Sequence, residues 1–244
     1  MVKLIVTDFD GTLKPFGESA VSDSVKRRIK AALNENITVA VSSGRTYGEL
    51  ISYLPEFADD LYFICCDGAY YVKGEKTLYQ KKIEKEDIAL FFKEAGCDFS
   101  FVLHGAFKNY SVGTPPLEAK KFNAVPIKRA EEIDEKIFKV TTYGKEFKPS
   151  AYSGLRMHWD GGANLSAQYV NKFANKGTAL SDLQMRLMLA KYDTACIGDS
   201  GNDVVMMRGA KYSFSVGNRC EQLLKSTASH VLNAETAFDE ILSI

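Results

Sequence analysis

The 244-residue sequence lacks an excess of charge of either sign: 31 Lys and Arg stand against 31 Asp and Glu, a formal net charge of zero. A dedicated nucleic-acid binder carries a basic excess or a basic stripe. Neither is present, so the expected partner is a small molecule and not a nucleic acid. No apolar run approaches the ~18 residues of a membrane-spanning helix, so no membrane association is expected. The opening MVKLIVTDFDG is interrupted by Asp8 where a signal peptide needs a longer apolar stretch, and a cytoplasmic protein is expected. Cysteine is sparse and odd in number: Cys65, Cys66, Cys97, Cys196 and Cys220, with no C-x-x-C pair. Most lie in apolar runs, which reads as buried free thiols in a reducing compartment. The N-x-S sequons at Asn109 and Asn164 are then chance matches. Internal repeats and low-complexity tracts are also absent. What is present is an ordinary globular composition, 45% hydrophobic and 25% charged. The length suits one large domain, or a core with a smaller inserted domain.

The chain opens with a strand at 2–6, rich in Val, Leu and Ile and cut by Asp8, Asp10 and Gly11, as buried parallel strands are. An amphipathic helix follows at 22–35, with Val25, Ile29, Ala32 and Leu33 on one face. Then come a strand at 37–41, a helix at 46–54, a strand at 61–66, and a hairpin of 70–72 and 77–80. Residues 81–172 have a different texture. They combine a helix at 84–95 with strand-like runs at 99–103, 107–112, 137–142, 155–159 and 164–170, and hold Pro115, Pro116, Pro126 and Pro149. From Lys176 the alternation returns: helix 176–190, strand 193–197, helix 202–209, strand 212–216, helix 219–227, strand 229–232 and helix 235–243. Alternating strands and helices imply a parallel sheet covered on both faces. The expected fold is therefore α/β, a doubly wound parallel-sheet core of residues 1–80 and 173–244 with an inserted α+β domain at 81–172.

Three core strands end in polar clusters: Asp8-Phe9-Asp10-Gly11-Thr12, Ser42-Ser43-Gly44-Arg45, and Gly198-Asp199-Ser200-Gly201-Asn202-Asp203. In open α/β sheets, ligands bind at the carboxyl ends of strands. Asp8, Asp10, Asp199 and Asp203 in one crevice repel one another unless a cation or shared protons offset them. Oxygen ligands without His or Cys select a hard cation, and Mg²⁺ is the default inside cells. Thr12, Ser43 and Lys176 add hydroxyls and an ammonium, the donors a phosphate needs. Carboxylates, a hard metal and an anion cradle together point to phosphoryl chemistry. Each signal has a plainer alternative. Asp-Gly is a common turn pair, Lys176 alone reads as a solvated helix residue, Arg45 as a partner for a surface carboxylate, and Asp203 as a helix cap.

The four segments Asp-Phe-Asp-Gly-Thr-Leu, Ser-Ser-Gly-Arg, Asn-Lys-Gly and Gly-Asp-Ser-Gly-Asn-Asp, in that order, resemble the motifs of the haloacid dehalogenase superfamily, and most closely its Cof-type (subfamily IIB) phosphatases. The resemblance implies an Mg²⁺-dependent phosphatase acting on a small phosphate ester such as a sugar phosphate. Asp8 would be the nucleophile that becomes an aspartyl-phosphate, and Asp10 the acid and base. The metal would be held by Asp8, the Asp10 carbonyl and Asp199, with Asp203 on a metal-bound water or behind the ligands. Ser43, Lys176 and Asn202, with backbone groups around Gly11, Thr12 and Gly44, would bind the phosphoryl group, and the insert would act as a substrate-selecting cap.

Two positions depart from the family pattern. Asp67 stands in Cys-Asp-Gly-Ala where Asn-Gly-Ala is common, and Gln168 stands where many relatives have an acidic residue. Both, with Arg45 and His104, are candidates to touch the substrate. Lys108, Arg156, His158 and Trp159 are further polar or aromatic residues of the insert, each expected to be structural or solvated. Two other readings stand beside this one. A phosphomutase on the same core has the Asp-x-Asp-Gly-Thr motif but typically lacks Ser/Thr-Gly-Arg. A non-catalytic phosphate-binding regulator, like a receiver domain, lacks the counterpart of Asp10. The oligomeric state is not legible.

Overall fold

The computed structural model describes residues 1–74, 76–95, 98–144, 153–159, 167–217 and 227–244. These residues form two compact units: Met1–Arg45, Glu49–Tyr79 and Asn175–Ile244 in the first, Thr46–Gly48 and Gln80–Ala174 in the second.

The first unit is built on an eight-stranded sheet. In chain order its strands are β1 (Leu4–Asp8), β2 (Thr38–Ser42), β3 (Tyr62–Cys65), β4 (Tyr70–Lys73), β5 (Lys76–Gln80), β12 (Thr194–Gly198), β13 (Tyr212–Val216) and β14 (Ser229–Val231). The spatial order is β14-β13-β12-β1-β2-β3-β4-β5. All pairs from β14 to β3 are parallel, and β3–β4 is antiparallel. The chain winds outward from β1 through β2 to β3, and later from β12 through β13 to β14. The direction therefore switches at β1, and in such sheets the crevice for ligands opens at that strand's carboxyl end. β1 is buried at every position, and its Leu4–Val6 are apolar because both faces are covered, before Thr7 and Asp8 end the strand.

Helix α1 (Asp23–Asn34) starts at Ser22, whose side chain accepts the Val25 N–H at 3.2 Å, and buries Val25, Ile29 and Ala32. Helix α2 spans Tyr47–Tyr53 and α4 spans Lys176–Leu187. α4 is fixed at its start by a reciprocal cap: Asn175 Oδ1 accepts the Thr178 N–H at 2.8 Å, and Thr178 Oγ1 accepts the Asn175 N–H at 3.2 Å. Its Ala179, Leu180 and Leu183 bury against Leu4, Val6, Ala40, Ile64 and Cys196 on one face of the sheet. The expected end at 190 is too late, because Met188 adopts a left-handed conformation that closes the helix. The helix expected at 202–209 is a 3₁₀ turn (Gly201–Asp203) followed by the short α5 (Val204–Met207). The last helix is α6 (Ala234–Leu242), tied to α1 by a forked ion pair of Arg28 with Asp239, both bonds 2.7 Å. The helix expected at 219–227 falls almost wholly outside the described residues.

The second unit holds a six-stranded sheet. Its members are β6 (Phe99–His104), β7 (Asn109–Val112), β8 (Val125–Pro126), β9 (Lys139–Gly144), β10 (Leu155–Trp159) and β11 (Ala167–Asn171). The order is β10-β11-β9-β6-β7-β8, antiparallel except for β7–β8. Helix α3 (Lys85–Glu94) covers one face with Ile88 and Phe91, the latter edge-on to Tyr169 at 5.3 Å. A 3₁₀ segment (Leu117–Phe122) contributes Ala119 and Phe122 to a cluster with Val102 and Tyr143. The sequence pattern missed β8, two residues long and containing a proline. Residues 164–166 of the expected strand at 164–170 lie outside the described residues.

Cys65, Cys66 and Cys196 are free and buried, as expected of thiols in apolar runs. Cys97 and Cys220 lie outside the described residues, as does the Asn164 sequon. The Asn109 side chain is engaged, donating to the Phe122 carbonyl at 2.8 Å. Among the described residues, no helix is long and apolar enough to cross a membrane.

Candidate active site

Strand β1 delivers Asp8 to its carboxyl end, in register with Ser42 at the end of β2. Asp8 is 6% exposed. One carboxylate oxygen, Oδ1, accepts from Lys176 Nζ at 2.5 Å, and the same ammonium donates to Asp203 Oδ1 at 2.7 Å. Lys176 reaches this point because it is the first residue of α4, and the turn after β3 lets that helix start come close. Gly68 has φ +87°, and a Cβ there would lie 2.2 Å from the Asn175 carbonyl oxygen. Only glycine meets both conditions.

The Gly198–Asp203 turn is tightly organised. Asp203, fully buried, accepts the N–H groups of Asp199 and Ser200 at 3.1 Å on Oδ2 while holding Lys176 on Oδ1. The Asp203 carboxylate is thus occupied with orienting the turn and the lysine. That agrees with the place behind the metal ligands that the resemblance implies for it, although one of its oxygens also lies within reach of a cation shared with Asp8 and Asp199. Asp199 itself is 5% exposed. Gly11, at φ +90°, makes room for it: a Cβ there would fall 2.3 Å from Asp199 Oδ2. One carboxylate oxygen from each of Asp8, Asp199 and Asp203 lies within 4.8 Å of the others.

Burial dominates the electrostatics. It raises the Asp8 carboxyl well above its ordinary range; Lys176 opposes that rise, and Asp203 and Asp199 add to it. Burial likewise pushes Asp199 up to about 6, with Asp203 adding to the rise. For Lys176, burial works against the charge, but the Asp203 and Asp8 carboxylates outweigh it and hold the ammonium firmly protonated.

Asp10 lies two residues beyond Asp8. Arg45 grips it with two bonds, Nε to Oδ2 at 2.6 Å and Nη2 to Oδ1 at 2.8 Å. Lys14 Nζ lies 3.6 Å from Oδ1. The Arg45 guanidinium rests 5.4 Å from the Phe9 ring centre and 5.0 Å from that of Tyr53. Arg45 is therefore a partner of Asp10, which corrects its reading as a substrate contact.

The phosphate-binding candidates divide. Ser43 is buried and its Oγ accepts the Arg45 N–H at 3.1 Å. The Gly11 N–H is spent on the Lys14 carbonyl at 2.8 Å and the Thr12 N–H on the Phe9 carbonyl at 3.3 Å. Neither amide is then a ready anion donor, but the Thr12 hydroxyl is buried and unpartnered. Asn202 sits at the exposed turn, its Oδ1 accepting from Ser200 Oγ at 2.6 Å. Asp67 is in the site. It adopts a left-handed φ of 56° after an equally left-handed Cys66. Its N–H meets the Ser43 carbonyl at 3.0 Å. Its carboxylate oxygens lie 3.3 Å from where a Gly44 Cβ would be, and it adds to the field that keeps Lys176 charged.

Two residues escaped the sequence reading. Ser42 has a buried hydroxyl without a partner, and its place in the Ser42–Arg45 cluster was the available signal. Lys14 is buried on Asp10, and nothing in the sequence separates it from a solvated lysine.

In the second unit, His104 is fully buried. Its Nδ1 pairs with Asn109 Oδ1 at 3.0 Å, its Nε2 with Thr141 Oγ1 at 2.9 Å, and its ring packs edge-on to Phe122. With both nitrogens engaged it is a structural residue, correcting its candidacy as a substrate contact. Gln168 is half-buried on β11, in register with Thr141 and His158. Lys108 pairs with Asp134, Arg156 donates to the Ala174 carbonyl at 2.6 Å, His158 is exposed, and the Trp159 side chain lies outside the described residues.

A divalent cation fits the first unit's site on two counts. Asp8, Asp10, Asp67, Asp199 and Asp203 face Lys14, Arg45 and Lys176; fully ionised, the five carboxylates would leave two surplus negative charges, which one such cation would offset. Among the described residues, four buried side-chain polar atoms lack a partner, and three of them stand here: Asp8 Oδ2, Thr12 Oγ1 and Ser42 Oγ. Buried polar atoms are ordinarily satisfied, so this cluster is shaped for something oxygen-binding and anionic or metallic.

Comparison with known proteins agrees in kind. Residues 5–241 match the family model described as haloacid dehalogenase-like hydrolase. The chain is 23% identical over 235 residues to the 5-amino-6-(5-phospho-D-ribitylamino)uracil phosphatase YbjI of Escherichia coli K12, covering 89% of this chain and 86% of that protein. Among solved structures it resembles SMU.1108c from Streptococcus mutans UA159 (TM-score 0.83, 23% identity, all of both chains). It also resembles the subclass IIB sugar phosphatase BT4131 (TM-score 0.78, 19% identity, all of both chains).

Proposed function

From the premise that the chain belongs to the haloacid dehalogenase-like hydrolases and is a phosphatase, we propose that it is an Mg²⁺-dependent phosphatase working through an aspartyl-phosphate on Asp8. The carrying observation is the buried, unpartnered Asp8 Oδ2 at the switch point of the sheet. It is the one oxygen of that carboxylate not committed to Lys176. Asp8 attacks phosphorus as the ester P–O bond breaks, and Asp10 gives its proton to the departing oxygen. Asp10 then takes a proton from the water that attacks the phosphoryl group, releasing phosphate and restoring Asp8. Lys176 and the hydroxyls of Thr12, Ser42 and Ser43 are the donors that meet charge on the transferring group. Asp8 and Asp199 would hold Mg²⁺, supported by Asp203. The cation would supply compensation for the charge of phosphate and carboxylates.

The favoured substrates are small phosphomonoesters with a hydroxylated carbon chain, a sugar or polyol phosphate. YbjI is named for a ribityl phosphate and BT4131 for sugar phosphates, which supports this class. Residues 81–172 would select the organic part of the substrate. The test is phosphate release from a panel of such esters with Mg²⁺ and with EDTA. Metal-dependent release from sugar or polyol phosphates is expected. Release that needs a sugar bisphosphate would instead favour the phosphomutase.

Metal binding has its own signature in stability. Asp199 has an ordinary value of 3.8 and is raised to about 6 in the fold. Between those values the folded protein retains a proton the unfolded chain has lost, so stability falls as pH rises through that window. Above it, the ionised carboxylates repel one another and await a cation; Asp8 is shifted in the same direction. Mg²⁺ is therefore expected to raise the melting temperature at about pH 8 and far less at about pH 5. Equal shifts at both pH values, read by calorimetry, would count against binding at these carboxylates.

A further inference from the structure

Asp10 is met by two cations of different character. Arg45 forms a forked, two-bond pair that fixes the plane of the carboxylate. Its guanidinium is in turn braced by the Phe9 and Tyr53 rings. Lys14 is the less ordinary partner. Lysines are seldom buried, yet this side chain is only 9% exposed. Its backbone is pinned in the turn after β1: Gly11 N–H donates to the Lys14 carbonyl at 2.8 Å, and Lys14 N–H to the Phe9 carbonyl at 2.9 Å. Its ammonium donates to the Glu18 carbonyl at 3.2 Å while facing Asp10 Oδ1. The two oxygens of Asp10 are thereby made unequal. Oδ1 accepts from Arg45 Nη2 and faces Lys14. Oδ2 accepts from Arg45 Nε; each oxygen keeps a lone pair, and the difference is the Lys14 charge 3.6 Å from Oδ1 alone.

We propose that Lys14 and Arg45 are positioning residues that clamp Asp10 with Oδ2 presented for proton transfer. An aspartate with a third of its side chain exposed otherwise samples several rotamers; the clamp selects one and spares the reaction that ordering cost. This rests on the reading of Asp10 as the group that protonates the leaving oxygen. In that step the proton on Oδ2 passes to the ester oxygen as its bond to phosphorus breaks and the Asp8–phosphorus bond forms.

The clamp has a signature that neither substrate contact nor simple scaffolding shares. Proton delivery matters most when the leaving group is a strong base and least when it departs readily as an anion. Phenyl phosphate and p-nitrophenyl phosphate have nearly the same shape and differ in this respect. The experiment measures kcat/KM for both esters with Mg²⁺ in wild type, Arg45→Gln and Lys14→Met, with melting temperatures as the folding control. In Arg45→Gln, phenyl phosphate is expected to lose ~100-fold and p-nitrophenyl phosphate less than ~10-fold. In Lys14→Met, a smaller loss of the same selectivity is expected. Arg45→Lys, which keeps charge and stem but not the fork, serves if Arg45→Gln does not fold, and an intermediate selective loss is expected of it. Equal losses with both esters in these variants would overturn the clamp and leave the phosphatase reading standing. A folded wild type that releases phosphate from neither these esters nor sugar phosphates would overturn that reading, and the clamp with it.

Discussion

Asp8→Asn abolishes turnover and leaves the protein at least as stable. The activity loss is expected on the order of 10⁴-fold or more, because without the carboxylate no covalent intermediate forms. The stability expectation runs the other way from most buried substitutions, and the burial of Asp8 is the cause. Its carboxyl is raised in the fold by loss of solvent and by Asp203 and Asp199, with Lys176 only partly offsetting them. A carboxylic acid with a raised folded-state value binds protons more tightly folded than unfolded. Its contribution therefore declines as pH rises, and above that range the ionised group is a burden. Asparagine keeps the shape and removes the charge. In EDTA at about pH 8, the variant is expected to unfold at a temperature no lower than wild type. Wild-type kcat in the folded variant would place the nucleophile elsewhere. A large drop in melting temperature would mean that the Asp8–Lys176 pair holds the core together, not that the fold carries it at a cost.

Lys176→Met is expected to damage both properties. Lys176 is 2% exposed and bridges two buried carboxylates, Asp8 at 2.5 Å and Asp203 at 2.7 Å. Removing it leaves those carboxylates facing each other, with Asp199 nearby and no cation between. Breaking a buried ion pair from one side typically costs about 3–5 kcal/mol, enough to shift the urea midpoint clearly. Phosphate release should fall ~10²–10³-fold, the usual consequence of losing one preorganised charge at a reacting centre. Mg²⁺ is expected to recover part of the stability and little of the activity, because it supplies charge but not a hydrogen bond to the transferring group. A variant that unfolds at the wild-type urea concentration would show that these two carboxylates need no lysine between them.

The chemistry was more legible than its scaffolding. Asp8, Asp10, Asp199 and Asp203 could be picked out from polar clusters that follow core strands, whereas Lys176, at a helix start, was picked out by the resemblance of its Asn-Lys-Gly segment to the family motif. What the linear pattern could not supply is which of these groups satisfy one another. Asp203 reads as a helix cap, a holder of a metal-bound water or a group behind the ligands, until its oxygens are seen to be occupied by Lys176 and two backbone amides. Arg45 reads either as a substrate contact or as the partner of a carboxylate until it is found gripping Asp10. His104 reads as a candidate substrate contact, but it is the last residue of β6, and Asn109 and Thr141 on the flanking strands absorb both nitrogens. Element boundaries failed where a single backbone conformation decides them, as at Met188. For the three side chains, the deciding contacts include one that joins residues more than twenty positions apart in the chain.

The place of β1 in the sheet bears on how the protein is made. β1 pairs on one side with β2, which follows it at Thr38–Ser42. Its other side pairs with β12, at Thr194–Gly198. During synthesis, that side of a buried strand is an unpaired edge until residues 194–198 leave the ribosome. Such an edge is a template for pairing with other chains. Closing so long a loop is slow, because its entropy is lost before the contact rewards it. Folding residues 80–174 into a unit of their own first would shorten the stretch that remains to be closed. A ribosome stalled after residue 174 carries Asp8 but neither Lys176 nor Asp199, so the nascent protein can hold its nucleophile for many seconds with no means of using it.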